Sequence, residues 1–464
     1  MIITREVINK NIVYHDYNSG SKEFEVKTYQ DLVNLINAYK NILIKNGAKL
    51  GETILVAPTR GFNNLAAFIA AAELGLGSTI VNSFLQKSVY YSDSKIKTLL
   101  PINYFIADEE DLKDLTKHQF YSMICDKVLV EKPNDFTDNK EIWATEQTVH
   151  HLSTSSGTSG APKRIEHTHE FTYAVSKRNT SYMGKNIMIT GRPTHGSSLA
   201  TFYVPSVLSE KTENIYFCTT DDITSKELNK PNTISNLCDS LQIVYADLLD
   251  ETLNKLTKNP NLTVFTLTAI RPEWLKFIRL GRIKNIISLY GTSETSGPIM
   301  MQYGNDPKFS PERFELMDDF YPVTFENGTL ETIIPIYNRH NNTQDIVEPH
   351  LNGGLKLVGR KDLIRINDLV IPCRIYDREL YTMFSNATLT YDTLHSKIYL
   401  TLWYDDIDLE KKVNKFSSYL RLQSGARHFI ADYDRLEYTE FLSGIKLDHE
   451  MIRQYYRQKH ESNT

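Results

Sequence analysis

The chain has 464 residues, 41% of them hydrophobic and 11% aromatic, with a net charge of -5; that is more than one ordinary core holds, so two domains, or one large and one small, are expected. No apolar run reaches the length of a membrane span, the start Met1-Ile-Ile-Thr-Arg-Glu-Val7 has no signal-peptide character, and no long basic run offers a footprint for nucleic acid or an anionic membrane. The scattered cysteines Cys125, Cys218, Cys238 and Cys373 contain no Cys-x-x-Cys pair, which argues against a disulfide framework or zinc site and fits a cytoplasmic protein acting on small molecules.

Thr28 and Asp31 set a helix start, and Leu32, Leu35, Ile36, Tyr39 and Ile42 recur at helical spacing up to Gly47, which predicts an amphipathic helix. Residues 53–57 read as a buried strand, 62–74 as a second helix stopped by Gly75, and 78–81 as another strand. Such alternation predicts an α/β sheet. Between residue 85 and about 150 the pattern weakens, and Asp108-Glu-Glu-Asp-Leu-Lys-Asp114 reads as a solvated helix face without chemistry.

Thr154-Ser-Ser-Gly-Thr-Ser-Gly-Ala-Pro-Lys163 then packs hydroxyls, glycines and a lysine into one short stretch. Gly157 and Gly160 let backbone approach an anion, the hydroxyls of Ser155, Ser156, Thr158 and Ser159 donate to it, and Lys163 adds positive charge. A Walker loop needs Gly-Lys-Ser/Thr leading into a helix, and here Ala161-Pro162 intervenes. By itself the segment reads equally as a flexible linker. Further on come Pro193-Thr-His195-Gly196, Tyr290-Gly-Thr-Ser-Glu294, Thr343-Gln-Asp345 and Gly359-Arg360-Lys-Asp362. Near the end, 397–403 reads as a strand, 408–422 as a helix with Leu409, Val413, Phe416 and Leu420 inward, and 427–432 as a strand, which together predict a small α/β domain.

In their order, these motifs resemble the adenylate-forming superfamily of acyl-CoA synthetases, luciferases and peptide-synthetase adenylation domains. The resemblance covers nearly the whole chain. It implies a large, multi-subdomain N-terminal α/β domain over 1–361 and a small, mobile C-terminal α/β domain over 362–464, with a hinge near Asp362. It implies that residues 155–160 and Lys163 hold phosphate, Tyr290 stacks on adenine, Ser293 meets the phosphate, Glu294 holds magnesium and Asp345 grips the ribose hydroxyls. Arg360 joins the nucleotide-binding set. His195 and Gly291 are the substrate-side residues, although His195 reads equally as a packed turn histidine. Lys446, in Ser443-Gly-Ile-Lys446-Leu-Asp448, stands where the family carries its lid lysine, one residue further from the glycine.

Gln344, Arg164 and Asp368 each stand where the family has glycine, and residues 282–289 lack its usual glycine-rich turn. Asp368 in a narrow thiol tunnel bears on the second half-reaction. The implied chemistry is attack of a carboxylate on the α-phosphate of ATP, with magnesium, giving an acyl-adenylate and pyrophosphate, then transfer to CoA or a carrier-protein thiol. Transfer to an amine is a close variant, and a binding module that has lost its rate is the competing class. Amino-acid-activating members of that family carry an aspartate near this segment and none stands beside His195, so the resemblance implies a plain carboxylic acid rather than an amino acid. No protein nucleophile is needed: positioning and electrostatics suffice.

Overall fold

The computed structural model describes residues 1–461 apart from 19, 57–60, 80–100, 108–124, 130–132, 155–163, 191–198, 219–221, 224–233, 244–245, 268–269, 312, 325–327, 361–363, 367–368, 372–379, 381–382, 385–386, 393–396, 404–407, 424–429, 437–441, 444–445 and 448. Thr28 caps the first helix, α1 (Tyr29–Lys45), as the sequence predicts. Its hydroxyl accepts from the Asp31 amide while the Asp31 carboxylate accepts from the Thr28 amide, satisfying two donors a helix start leaves orphaned. Leu32, Ile36, Tyr39 and Ile42 are buried along one face, and the chain leaves through Gly47 at a φ of +86°, the left-handed exit that glycine adopts freely.

The second helix, α2 (Gly61–Glu73), is buried at every position from Asn64 to Glu73. A helix apolar on all sides belongs inside a domain, and α2 shares its core with Tyr14, Ile54, Ile187 and Phe217 from separate strands. It opens on glycine because a Cβ at Gly61 would sit 2.5 Å from the Phe217 side chain.

A six-stranded sheet runs, in spatial order, Cys125–Leu129, Ile102–Ile106, Thr53–Val56, Gly77–Thr79, Val149–Thr154 and Arg164–Thr168. All its pairs are parallel except the last, a hairpin that leads into α3 (His169–Asn179). The first two strands come from the stretch where the sequence pattern is weak; the predicted solvated face at 108–114 lies outside the described residues.

Among the described residues the larger sheet has 13 strands. Its parallel half orders Ile283–Tyr290, Asn259–Thr266, Ser240–Gln242, Asn186–Ile189, Asn214–Phe217 and Val13–Asn18. Beyond Ile283–Tyr290 the pairing turns antiparallel through Met300–Tyr303, Arg313–Leu316, Leu355–Arg360, Arg339–Pro349 and Thr329–Ile334. The change of direction therefore falls at Tyr290.

Ala387–Asp392, Lys397–Leu402 and Ile430–Arg435 form a separate three-stranded sheet, accompanied by α4 (Leu409–Gln423) and α5 (His449–Glu461). Val413, Phe416 and Leu420 are buried with Leu389, Ile398 and Leu400, and Leu409 is partly buried beside them, so the predicted inward face is the observed one. The helix begins at Leu409 rather than 408 because Asp408 has a φ of +57°. The last strand runs on to Arg435, past its expected end at 432. Among the described residues no helix is long and apolar enough to cross a membrane.

Candidate active site

Thr154 and Arg164, the residues flanking 155–163, are cross-strand partners. Val149–Thr154 is parallel to Gly77–Thr79, and its carboxyl end is where an open α/β sheet receives ligands. Ser155, Ser156, Gly157, Thr158, Ser159, Gly160 and Lys163 themselves lie outside the described residues, as do His195 and Asp362. Arg164 is paired with Glu166 at 2.5 Å. Thr168 caps α3 by accepting from the Phe171 amide at 3.3 Å, and its own amide donates to the Tyr337 hydroxyl at 2.8 Å.

A second carboxyl end carries Tyr290. The strand Ile283–Tyr290 runs unbroken into it, and the glycine-rich turn missing from the sequence is replaced by regular strand. The chain then reverses tightly, with the Ile299 amide returning to the Tyr290 carbonyl at 2.7 Å. Thr295 holds the reversal from inside: its hydroxyl accepts from the Thr292 amide at 3.0 Å and lies 2.9 Å from the Gly297 carbonyl. The Tyr321 hydroxyl donates to the Thr295 carbonyl at 2.6 Å, and burial raises that phenol's pKa, keeping it a donor. A Cβ at Gly291 would lie 2.3 Å from the Gly297 carbonyl oxygen, so the turn requires glycine there for a packing reason. Gly291 and Ser293 are exposed at its crest and Glu294 is half-buried.

A third segment meets the second. The Tyr290 hydroxyl donates to the Asp345 carboxylate, 55 residues away in sequence. Asp345 lies in Arg339–Pro349, its amide donating to the Thr343 hydroxyl at 3.1 Å, and Arg360 is its cross-strand partner. Thr343 is fixed in turn by donating its hydroxyl to the Leu330 carbonyl at 2.8 Å, so the backbone at Asp345 is tied to the neighbouring strand. The Tyr290 ring also packs edge-on against Phe314, with centroids 6.2 Å apart.

The structure thus joins Tyr290, Gly291, Ser293 and Glu294 on one turn and connects them to Asp345 and the backbone of Arg360. Lys446 opens the return strand of a small hairpin, opposite Ser443. Ile364–Ile366 and Leu369–Ile371 pair with Ile366 opposite Leu369; Asp368 lies outside the described residues. Sequence reasoning misses His167, whose Nε2 lies 2.8 Å from the Ser293 carbonyl, and Tyr337. A buried histidine next to a helix cap carries no periodic signal. Among the described residues no group of three or more His, Cys, Asp or Glu side chains could hold a metal by itself. A single half-buried carboxylate, Glu294, fits magnesium that arrives largely held by phosphate oxygens.

The chain is similar in structure to O-succinylbenzoate coenzyme A synthetase (MenE) from Bacillus subtilis in complex with ATP and magnesium ion, at 15% identity and a TM-score of 0.72, covering 97% of this chain and 98% of that one. It is similar to ATP-bound MatB from Rhodopseudomonas palustris at 12% identity and a TM-score of 0.73, covering 98% and 99%. A structure from work on the fatty acyl-adenylate ligases of E. coli and L. pneumophila matches at 15% identity and 0.72, covering 100% and 99%. The chain therefore has the fold of the adenylate-forming enzymes. No protein-family model and no curated protein matches its sequence.

Proposed function

We propose that the protein activates a carboxylic acid with ATP and magnesium, as an AMP-forming, acyl-CoA synthetase-like ligase. The observation that carries this reading is the hydrogen bond from Tyr290 to Asp345, which brings the adenine-stacking and ribose-gripping positions of the resembled family to one place at the carboxyl edge of the large sheet. The acid's carboxylate oxygen attacks the α-phosphorus, the bond from that phosphorus to the bridging oxygen breaks, and pyrophosphate leaves with the electron pair. Residues 155–160 and Lys163 hold the phosphates and offset the negative charge on their oxygens. Glu294 supplies the carboxylate for magnesium, whose chemistry is neutralisation of phosphate charge.

Arg360 and Asp345 orient the nucleoside, and His195 and Gly291 flank the acid. Lys446 reaches the reacting carboxylate from a lid over residues 362–464 that turns about Asp362. The separate cores formed by residues from Leu380 onward support that division from 1–361. In the second step a thiol of CoA or of a carrier protein attacks the acyl carbonyl and AMP leaves.

The test is carboxylate-dependent pyrophosphate exchange across a panel of fatty, aryl and amino acids, and exchange with at least one plain carboxylic acid is expected. An absence of exchange across the panel, in protein that binds ATP, would turn the reading toward a binding module. Supplying CoA to the exchanging enzyme then decides the acceptor. Asp345→Ala is expected to weaken AMP binding roughly 10- to 100-fold, the loss of charge-assisted hydrogen bonds to the ribose. Tyr290→Phe keeps the ring and removes the hydroxyl that orients Asp345, so a smaller loss is expected, one that disappears when AMP is replaced by its 2′,3′-dideoxy analogue. A Tyr290→Phe penalty of equal size with both nucleotides would exclude action through the ribose.

A further inference from the structure

The hairpin that closes residues 155–163 and the turn that follows Tyr290 belong to different sheets. His167, on the return strand of that hairpin, links them directly. Its ring is 0% exposed, and its Nε2 lies 2.8 Å from the carbonyl oxygen of Ser293, 126 residues away. A carbonyl can only accept, so Nε2 carries the hydrogen. The ring stacks on Phe171 with centroids 5.1 Å apart and lies parallel to His151, its cross-strand partner, at 6.4 Å. Burial holds its pKa down to about 4, so it is neutral around pH 7 and donates in a single tautomer.

Packing alone gives no reason for histidine here. The Nδ1 atom is buried without a hydrogen-bond partner among the described residues, and an unpaired buried nitrogen carries a desolvation cost that phenylalanine or leucine would avoid. The turn also has anchors of its own: the Ile299 amide holds Tyr290, and Tyr321 holds Thr295. Neither ties it to the hairpin. What the imidazole adds is a fixed distance between Ser293 and the strand that carries the Ser/Thr/Gly loop.

We propose that His167 is a positioning residue of the nucleotide site, pinning the Ser293 carbonyl to the strand Arg164–Thr168 so that the turn bearing Ser293 and Glu294 is held in place for a bound triphosphate. The proposal rests on the acid-activation reading above and adds to it a role for a side chain to which the resemblance over residues 155–169 gives none. By this account the hydrogen bond matters through the ligand that the turn receives, and its loss is felt in nucleotide affinity.

The test compares the whole protein with His167→Phe, which keeps a ring and removes the donor, His167→Met, a second donor-free variant able to refill the space, and His167→Gln, whose amide nitrogen reaches about as far as Nε2. Calorimetric titration with magnesium-ATP and with AMP is paired with amide hydrogen exchange over residues 290–299 in the absence of nucleotide. The donor-free variants are expected to lose protection over 290–299 and to bind nucleotide about five- to tenfold more weakly, with His167→Gln recovering most of both. In pyrophosphate exchange the change should fall on KM for ATP, with kcat little altered. Unchanged affinity in a folded donor-free variant overturns the proposal, and so does a loss that glutamine fails to recover. If even the wild type binds no nucleotide, the acid-activation reading fails separately; the exchange data then decide the strut, which unchanged protection over 290–299 would refute.

Discussion

Glu73→Ala is expected to destabilise the protein by about 3–5 kcal/mol, the range for stripping one partner from a buried ion pair. The Glu73 side chain is 0% exposed, as is that of Lys40, whose Nζ lies 2.9 Å from it. Arg5 closes on the other side, with Nη2 at 2.6 Å and Nε and backbone amide at 2.8 and 2.9 Å. Burial alone would raise the Glu73 pKa, but the Arg5 hydrogen bonds and the Lys40 charge outweigh it and hold the carboxyl below its usual range. Removing the carboxylate leaves two buried cations with only the more distant charges of Asp138 and Glu141 to oppose them.

The damage should spread toward the candidate site. Lys40 and Arg5 also bond the Asn139 carbonyl, and the Trp143 amide donates to the Glu73 carbonyl at 2.8 Å. These contacts fasten the segment that leads into the strand Val149–Thr154, which precedes residues 155–163. Thermal unfolding followed by calorimetry is expected to show a fall of roughly 5–10 °C for Glu73→Ala, and a smaller fall for Lys40→Met, which leaves the Arg5 pair intact. A shift within about 1 °C for Glu73→Ala would show that the triad is not a stabilising charge cluster.

The parts of this architecture legible in the sequence are those governed by local rules. The Thr28–Asp31 capping box, the apolar stripe of α1 and the inward face of α4 follow from side-chain spacing, and the structure has each of them. The order of Tyr290, Asp345 and Arg360 likewise points to a shared site, and the Tyr290–Asp345 bond and the Asp345–Arg360 pairing bring these positions together. What sequence does not yield is governed by long-range contact. Ile102–Ile106 and Cys125–Leu129 are short strands whose partners are distant in the chain, so no period marks them. His167 and Tyr337 acquire their roles only when separate sheets meet. Resemblance puts Gly291 on the acid side, while the structure supplies a different physical reason for it: the close approach of the Gly297 carbonyl.

Stability is expected to fall steeply as the pH drops from about 6.5 toward 4, because the hairpin of Val149–Thr154 and Arg164–Thr168 and the start of α3 carry buried, neutral histidines. His150, His167 and His169 are all 0% exposed. Burial, before any other cause, pushes His167 and His169 down to about 4 and His150 well below the ordinary histidine range. Their surroundings add to this. His169 faces the positive amino terminus, itself paired with Glu146, and accepts from the Ile3 amide through Nδ1. His150 packs edge-on against Phe68 and His169 and feels the other histidines, while His167 feels Arg339, opposed by the Ser293 carbonyl.

These rings stay neutral when folded and titrate near 6.5 when unfolded, so below that pH the unfolded chain takes up more protons. Their contribution is complete above about 6.5 and is lost as the pH falls through the folded values. For His167 and His169 the difference amounts to roughly 3 kcal/mol each by about pH 4. Glu73, held below the usual carboxylate range, keeps its charge through most of that window. Urea denaturation from about pH 7 to about pH 4.5 should therefore show a falling midpoint with net proton uptake on unfolding. His150→Phe provides the control, because both ring nitrogens of His150 are buried without partners among the described residues. That variant should be at least as stable as the wild type at about pH 7 and should fall less steeply in acid; a slope identical to wild type would mean that His150 is not a buried neutral base.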